Sequence, residues 1–363
     1  MAQQLIEKGA HINTNNLKPQ ELLTPNALVQ SLPLTSLHKD FIQSSRQALK
    51  NILDGVDDRL IVICGPCSIH DLTAAKDYAQ RLKKLSDDVQ NKIFIIMRVY
   101  MEKPRTAYGW KGLIHDPLMN GTYEVNRGLT LARELLIDLC DLQMPAAMEF
   151  LELSTPLYLA DLITYGCIGA RTSSSQPHRQ LASSLTMPIG FKNSIDGNIS
   201  LAVQAAFAAK QPQSMINANE QGYLTQFFTS GNSYSHLVLR GGGGKTNYDQ
   251  QSIAKSVHLL KEMDLITRLI IDCAHDNCHK IYQLQETAFH DVLKQISKGN
   301  KEIAGIILES HLNAGNQTIS ELNKMKYGVS VTDACLDWQT TENLIRTAHQ
   351  QLLDLTLHAV SIN

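Results

Sequence analysis

The sequence predicts an α/β protein: a closed (β/α)8 TIM barrel with an N-terminal extension and an inserted β-hairpin. Two observations carry this. Apolar runs of strand length recur eight times with helical patterns between them, and strand–helix repetition of this kind builds a parallel sheet. Eight such units in about 300 residues match the size of a (β/α)8 barrel. Almost every run also leads into an ionisable residue, and barrel enzymes place their chemistry at the C-terminal ends of the strands.

Taken in order, residues 1–53 read as an N-terminal arm and helix for subunit contact and regulation, and 54–363 as the catalytic barrel. Asn-Thr-Asn-Asn at 13–16 and prolines at 19, 25 and 33 mark an extended arm, followed by a helix near 36–53. The strand-like runs lie at 60–64, 93–98, 146–150, 166–170, 188–192, 236–240, 268–273 and 303–309. Asp71 is a good N-cap for a helix over 72–89. Helical spacing recurs over 126–142, 197–210, 249–263, 281–297 and 340–359. Thr155-Pro156 reads as a cap followed by proline at the first helical position. Residues 213–229 stand outside the count. They hold Met215-Ile216 and Phe227-Phe228 around Gly222 and read as the inserted hairpin.

Composition excludes several classes. A chain of 363 residues with 43% hydrophobic and 19% charged residues is globular. A formal net charge of -2 gives no general electrostatic case for nucleic acid or an anionic membrane. No stretch approaches the ~20 apolar residues of a membrane span. The first residues lack a basic segment followed by an apolar one. With seven cysteines, this points to a cytoplasmic protein with reduced thiols.

Cys67 follows the first run. Arg98 ends the second, with Lys103 and Arg105 just beyond. Glu149, Arg171, Lys192, Arg240, His275 and Glu309 attend the next six, and Asp333 lies past the last. Any one of these alone is more often a surface charge or ion pair; their common register is the argument. The cations Arg98, Lys103, Arg105, Arg171, Lys192 and Arg240 would repel one another in an empty site. They make sense for anionic ligands with more than one phosphate. Gly241 to Gly244 would let backbone amides approach a ligand. Cys67, His275, Glu309 and Asp333 offer S, N, O and O, a set that suits one divalent ion such as Mn²⁺, Fe²⁺, Co²⁺ or Zn²⁺ better than Ca²⁺ or Mg²⁺. Cys140, Cys167, Cys273, Cys278 and Cys335 read as small buried hydrophobes, and His70, His178 and His279 as structural. Cys64-Gly65-Pro66-Cys67 leaves a redox pair open.

Many ordered motifs then agree with one family. They are Gly65-Pro66-Cys67-Ser68-Ile69-His70-Asp71, Met97-Arg98-Val99-Tyr100 with Glu102-Lys103-Pro104-Arg105-Thr106, Gly109-Trp110-Lys111-Gly112-Leu113 and Gly169-Ala170-Arg171-Thr172. Further on come Gly190-Phe191-Lys192-Asn193, Leu239-Arg240-Gly241-Gly242, Glu309-Ser310-His311 and Val331-Thr332-Asp333-Ala334-Cys335. Over most of its length the chain resembles the type I, aromatic-amino-acid-regulated 3-deoxy-D-arabino-heptulosonate 7-phosphate (DAHP) synthases. The resemblance implies a metal-dependent condensation of phosphoenolpyruvate, D-erythrose 4-phosphate and water to DAHP and phosphate, the first step of the shikimate pathway. It implies a metal on Cys67, His275, Glu309 and Asp333. Phosphoenolpyruvate would fall on Arg98, Lys103, Glu149, Ala170, Arg171, Lys192 and Arg240. Erythrose 4-phosphate would fall on Lys103, Pro104, Arg105, Thr106 and Asp333. Lys103 would protonate the new alkoxide and His275 would serve the water. An inhibitor pocket would involve Pro156, Leu157, Leu181, Thr186, Met215 and Asn217, with tyrosine ahead of phenylalanine as effector, in a homodimer or homotetramer. Ser174, Ser194-Ile195 and Ala274 depart from the family's usual residues without removing a ligand. The rivals are the related octulosonate 8-phosphate synthase, which takes arabinose 5-phosphate, a thiol redox protein acting through Cys64 and Cys67, and a catalytically dead regulatory barrel.

Overall fold

The computed structural model describes residues 18–362, so the first part of the arm and helix expected over 1–53, residues 1–17, lies outside the described residues. The chain opens with α1 (Pro25–Ser31) and α2 (Ser36–Leu53). It continues through β1 (Leu60–Gly65), α3 (Leu72–Val89), β2 (Ile93–Arg98), α4 (Val125–Asp141), β3 (Ala146–Glu149) and a single turn α5 (Pro156–Leu159). Next come β4 (Tyr165–Ile168), α6 (Gln176–Ser184), β5 (Ile189–Lys192), α7 (Ile199–Lys210), β6 (Gln213–Ala218) and β7 (Leu224–Thr229). The last part is β8 (Ser235–Leu239), α8 (Gln250–Glu262), β9 (Leu269–Asp272), α9 (Leu284–Ser297), β10 (Ile303–Glu309) and α10 (Trp338–Ile362).

Eight strands close a barrel in the order β1-β10-β9-β8-β5-β4-β3-β2, and the pairings are parallel. The β6–β7 hairpin forms a separate antiparallel sheet, which is why β5 and β8 are barrel neighbours. Along each strand the side chains alternate between two compartments. Ile61 and Ile63 join an inner cluster with Ile96, Ala147, Tyr165, Val238, Ile270 and Ile307. Val62 and Cys64 join the outer layer that packs against the helices. Tyr165 fills the barrel centre, and Gly190 makes room for it: a Cβ there would lie 2.0 Å from the Tyr165 hydroxyl.

Helix α2 presents Leu49, Ile52 and Leu53, all buried, to the inner cluster. It therefore closes the N-terminal end of the barrel, and burying each of these side chains contributes roughly 1.5–3 kcal/mol. Asp71 caps α3 as predicted, accepting from Thr73 N at 2.8 Å and Ala74 N at 3.1 Å. Thr155 does not cap: its backbone is helical, and its hydroxyl donates to Glu102 Oε1 at 3.0 Å instead. Two helices lack a sequence-level expectation. In α1, Thr24 caps through Ala27 N at 3.2 Å with Pro25 at the first position. The nine-residue α6 begins after Ser175, with proline among its first two residues. Among the described residues no helix is long and apolar enough to cross a membrane.

Candidate active site at the C-terminal mouth of the barrel

The inward face of each strand changes character at its C-terminal end. Two residues beyond Ile96, Ala147, Gly190, Ile270 and Ile307 stand Arg98, Glu149, Lys192, Asp272 and Glu309, on the same face of their strands. All five are at most 5% exposed. The apolar interior is thus capped by a layer of buried charge. Above it lies a cavity of about 550 Å³. Arg98, Lys103, Pro104, Arg105, Thr106, Glu149, Ala170, Arg171, Lys192, Arg240, His275, Glu309 and Asp333 all line it. The residues named from the sequence for two substrates therefore surround one space.

Repulsion among the cations is handled differently from the sequence reading, in which an anionic ligand was the remedy. Three of the six are paired within the protein. Arg98 donates to Glu309 Oε1 at 2.8 Å, Lys192 lies 2.9 Å from Asp272 Oδ2, and Arg240 lies 3.3 Å from Asp276 Oδ2. Tyr100 adds a neutral partner, with its ring centroid 3.5 Å from the Arg98 guanidinium, 5.6 Å from Lys192 Nζ and 6.0 Å from Lys103 Nζ. Burial alone would lower the Lys192 ammonium, but Asp272 outweighs it and the pKa is raised. Both lysines stay charged. Arg105 and Arg171 are exposed at the rim, where Arg171 Nε donates to Thr106 Oγ1 at 3.1 Å.

Cys67, Glu309 and Asp333 place one donor atom each within 4.8 Å of the others. His275 stands at the edge of this group, its Nε2 3.8 Å from Glu309 Oε1. Sulfur and carboxylate donors with an imidazole beside them fit a divalent transition ion. Lys103 Nζ reaches Cys67 Sγ at 3.2 Å and Cys67 O at 3.1 Å. Burial, together with Glu309 and Asp333, pushes the Cys67 thiol up to about 11. Asp333 is held below the usual carboxylate range: burial works against this, and Lys103 and His275 outweigh it. Cys64 belongs to the other compartment. It packs outward among the helices, and burial pushes its thiol up to about 12. The two thiols face different layers, all seven cysteines are free and buried, and neither of the pair has thiolate character at neutral pH, so the redox reading loses its basis.

Several supporting residues escaped the sequence reading. Gln285 braces Glu309 from both sides, its Oε1 accepting from Glu309 N at 2.8 Å and its Nε2 donating to Glu309 O at 3.1 Å. Ser68 and Thr332 bond at 2.8 Å and join the Cys67 turn to the Asp333 loop. Three buried asparagines set Arg240 and the glycine run. Asn193 Oδ1 accepts from Arg240 N at 2.9 Å, Asn247 Oδ1 accepts from Gly241 N at 2.7 Å, and Asn277 Oδ1 accepts from Asn247 N at 2.8 Å. Three of the four glycine amides expected to approach a ligand are instead bonded within the protein. Gly241, Gly242 and Gly243 donate to Asn247, Lys245 and Ile195. Small size is what the run supplies: a Cβ on Gly242 would lie 2.3 Å from Gly197 N. His178 is structural, held between Ser175 Oγ and Leu151 O at 2.8 Å each.

Residues 37–346 match the DAHP synthetase I family model. The chain belongs to the DAHP synthetase I family. It is 42% identical over 348 residues to the Tyr-sensitive phospho-2-dehydro-3-deoxyheptonate aldolase of Escherichia coli K12, covering 96% of this chain and 98% of that one. It is 47% identical over 326 residues to the Trp-sensitive enzyme of Shigella flexneri, covering 90% and 93%. A solved phospho-2-dehydro-3-deoxyheptonate aldolase from Francisella tularensis superposes with a TM-score of 0.90 at 41% identity, over 93% of this chain and 98% of that one.

In this member of the DAHP synthetase I family a second cavity, of about 620 Å³, lies away from the barrel mouth. Pro156, Leu157, Leu181, Thr186, Met215 and Asn217 line it, with Arg46 of α2 and Phe227 of the hairpin. The loop after β3 connects the two cavities. Its Leu151 N and Glu152 N donate to Glu102 at 3.3 and 3.4 Å, next to Lys103 in the chain. Its Leu153 O accepts from Asn217 Nδ2 at 2.8 Å.

Proposed function

We propose that the barrel-mouth cavity condenses phosphoenolpyruvate with D-erythrose 4-phosphate and water, giving DAHP and phosphate. The observation that carries this is the convergence on one cavity of six cations with Glu309 and Asp333, behind which Cys67 completes a donor cluster. The names of the aldolase relatives support the same chemistry.

Arg98, Arg171, Lys192 and Arg240 bind the charged groups of phosphoenolpyruvate, with Glu149 and Ala170 shaping its seat. Arg105 and Thr106, with Pro104, receive the second phosphate at the rim, and Asp333 takes the sugar hydroxyls. Fixed pairs such as Arg98–Glu309 keep these groups in place before substrate arrives, so little reorganisation opposes the reaction. Cys67, His275, Glu309 and Asp333 would hold one divalent ion, which supplies Lewis-acid polarisation of the aldehyde oxygen. Lys103, raised because the adjoining Cys67 sulfur and the Glu309 and Asp333 carboxylates outweigh burial, holds its proton until an alkoxide of higher basicity forms. His275 orders the attacking water.

The second cavity takes an aromatic amino acid as feedback inhibitor. Relatives named Tyr-sensitive and Trp-sensitive stand at similar identity, so the lining must choose, and we place tyrosine first. The segment before residue 54 belongs to this regulatory side and to subunit contact in a homodimer or homotetramer: Arg46 of α2 donates to Thr186 Oγ1 at 2.9 Å within the cavity wall.

Phosphoenolpyruvate loss with erythrose 4-phosphate or arabinose 5-phosphate, each with and without tyrosine, phenylalanine and tryptophan, tests the proposal. Preference for the four-carbon sugar and inhibition by one amino acid are expected. Preference for arabinose 5-phosphate overturns the substrate, and indifference to all three amino acids overturns the regulatory site.

A further inference from the structure

Asp272 ends β9 with its side chain fully buried, and the reaction described above does not use it. Its Oδ2 lies 2.9 Å from Lys192 Nζ and 3.1 Å from His275 Nδ1. Its Oδ1 accepts from Ala274 N at 3.0 Å, and its carbonyl accepts from Asn277 Nδ2 at 2.8 Å. One carboxylate oxygen therefore touches a residue of the phosphoenolpyruvate set and a residue of the metal set.

The His275 side demands such an anchor. His275 has φ of +60°, a left-handed conformation that a non-glycine residue keeps only when its surroundings over-determine it. Asp272 accepts from the Ala274 amide on one side of that bend, and its Oδ2 stands against the His275 ring within ion-pair range, without the alignment of a hydrogen bond. A carboxylate beside Nδ1 favours the tautomer protonated there, which leaves Nε2 with a free lone pair. That Nε2 is the atom 3.8 Å from Glu309 Oε1.

On the Lys192 side, the ammonium is 3% exposed and would be an uncompensated buried charge without Asp272. A bland role as countercharge to Lys192 would account for the first contact alone. It leaves the Ala274 and His275 contacts unexplained.

We propose that Asp272 is a positioning residue that holds His275 for the metal and Lys192 for phosphoenolpyruvate at once, so that the two ligands bind with mutual support. This rests on the functional reading given above. By linkage, metal would tighten phosphoenolpyruvate binding and phosphoenolpyruvate would tighten metal binding by the same factor.

The test uses the full-length chain and reads binding, not turnover. Mn²⁺ and Zn²⁺ affinities are measured by competition with a chromophoric chelator, and phosphoenolpyruvate affinity by calorimetry without the aldose. Asp272→Asn is the direct variant. Because it strands a buried lysine, the comparison of Lys192→Met with Lys192→Met/Asp272→Leu is run beside it, where both buried charges are removed together. The double variant is expected to bind metal roughly 10–100-fold more weakly than Lys192→Met alone. Asp272→Asn is expected to lose the mutual tightening. Equal metal affinity in Lys192→Met and the double variant would overturn the proposal and leave Asp272 as a countercharge. A wild-type chain that binds neither metal nor phosphoenolpyruvate would instead overturn the functional reading itself.

Discussion

The two cavities are similar in size and opposite in construction. The one at the barrel mouth, about 550 Å³, is walled by strand ends and the loops that leave them, and its lining is charged. The other, about 620 Å³, is walled by Leu153, Pro156, Leu157, Leu181, Met215 and Phe227, drawn from the loop after β3, α5, α6 and the hairpin. The first rests on a closed hydrogen-bonded barrel, which fixes Arg98, Lys192 and Glu309 relative to one another. The second rests on parts added outside that barrel, which can shift without breaking it. In the proposed reading, chemistry sits on the rigid frame and regulation on the attachments. Glu102 spans the boundary, one residue from Lys103 and bonded to the Leu151–Thr155 segment.

The largest effect that would break this contrast concerns the two thiols of the first turn. Cys67→Ser should lower metal-dependent turnover by more than ~100-fold, beyond the range for outer-shell partners, while Cys64→Ser should largely spare it. Steady-state rates of the two variants at equal metal decide this, and equal loss would return both thiols to one site. Next, Arg240→Ala should raise the KM for phosphoenolpyruvate roughly 100-fold, since it truncates a buried charge and leaves Asp276 unpaired. The KM for erythrose 4-phosphate should move far less. On the regulatory side, Leu157→Ala should weaken the inhibitor roughly 5–10-fold through lost apolar contact, read as a shift of the inhibition midpoint. The smallest effect probes the boundary. Glu102→Gln should reduce the coupling between effector and substrate about 5-fold while the effector still binds, measured as effector affinity with and without phosphoenolpyruvate. Unchanged coupling would separate the two cavities physically.

What could be read from the sequence follows the same division. The clearest strands, β1, β2 and β10, were legible because they are short runs rich in Ile and almost wholly buried, and β2 and β10 begin and end where the pattern predicts. The charged strand ends were legible because the barrel fold gives them one destination. Asp272 was within reach of the same rule: the alternation Ile270, Asp272 points it inward, although His275 three residues later is the more conspicuous ligand type. The asparagine network was not legible. Asn193 and Asn247 meet across 54 residues of sequence, and nothing local distinguishes them from loop asparagines. Thr155 shows the converse. Its cap pattern with Pro156 is a sound local signal, overridden by a tertiary hydrogen bond to Glu102. The pocket residues Leu181 and Met215 carry no chemistry that a sequence pattern can flag, and only the family resemblance singled them out.

The account turns on one claim, that the barrel-mouth cavity joins two phosphorylated substrates with a divalent ion held by the Cys67 cluster. Phosphoenolpyruvate consumption with erythrose 4-phosphate, after chelation and with Mn²⁺, Fe²⁺, Co²⁺ and Zn²⁺ added back singly, tests it most directly. The account predicts that chelation abolishes consumption, that one or more of these ions restores it, and that consumption requires the aldose. Full turnover in the chelated enzyme, or phosphoenolpyruvate loss without erythrose 4-phosphate, would contradict it.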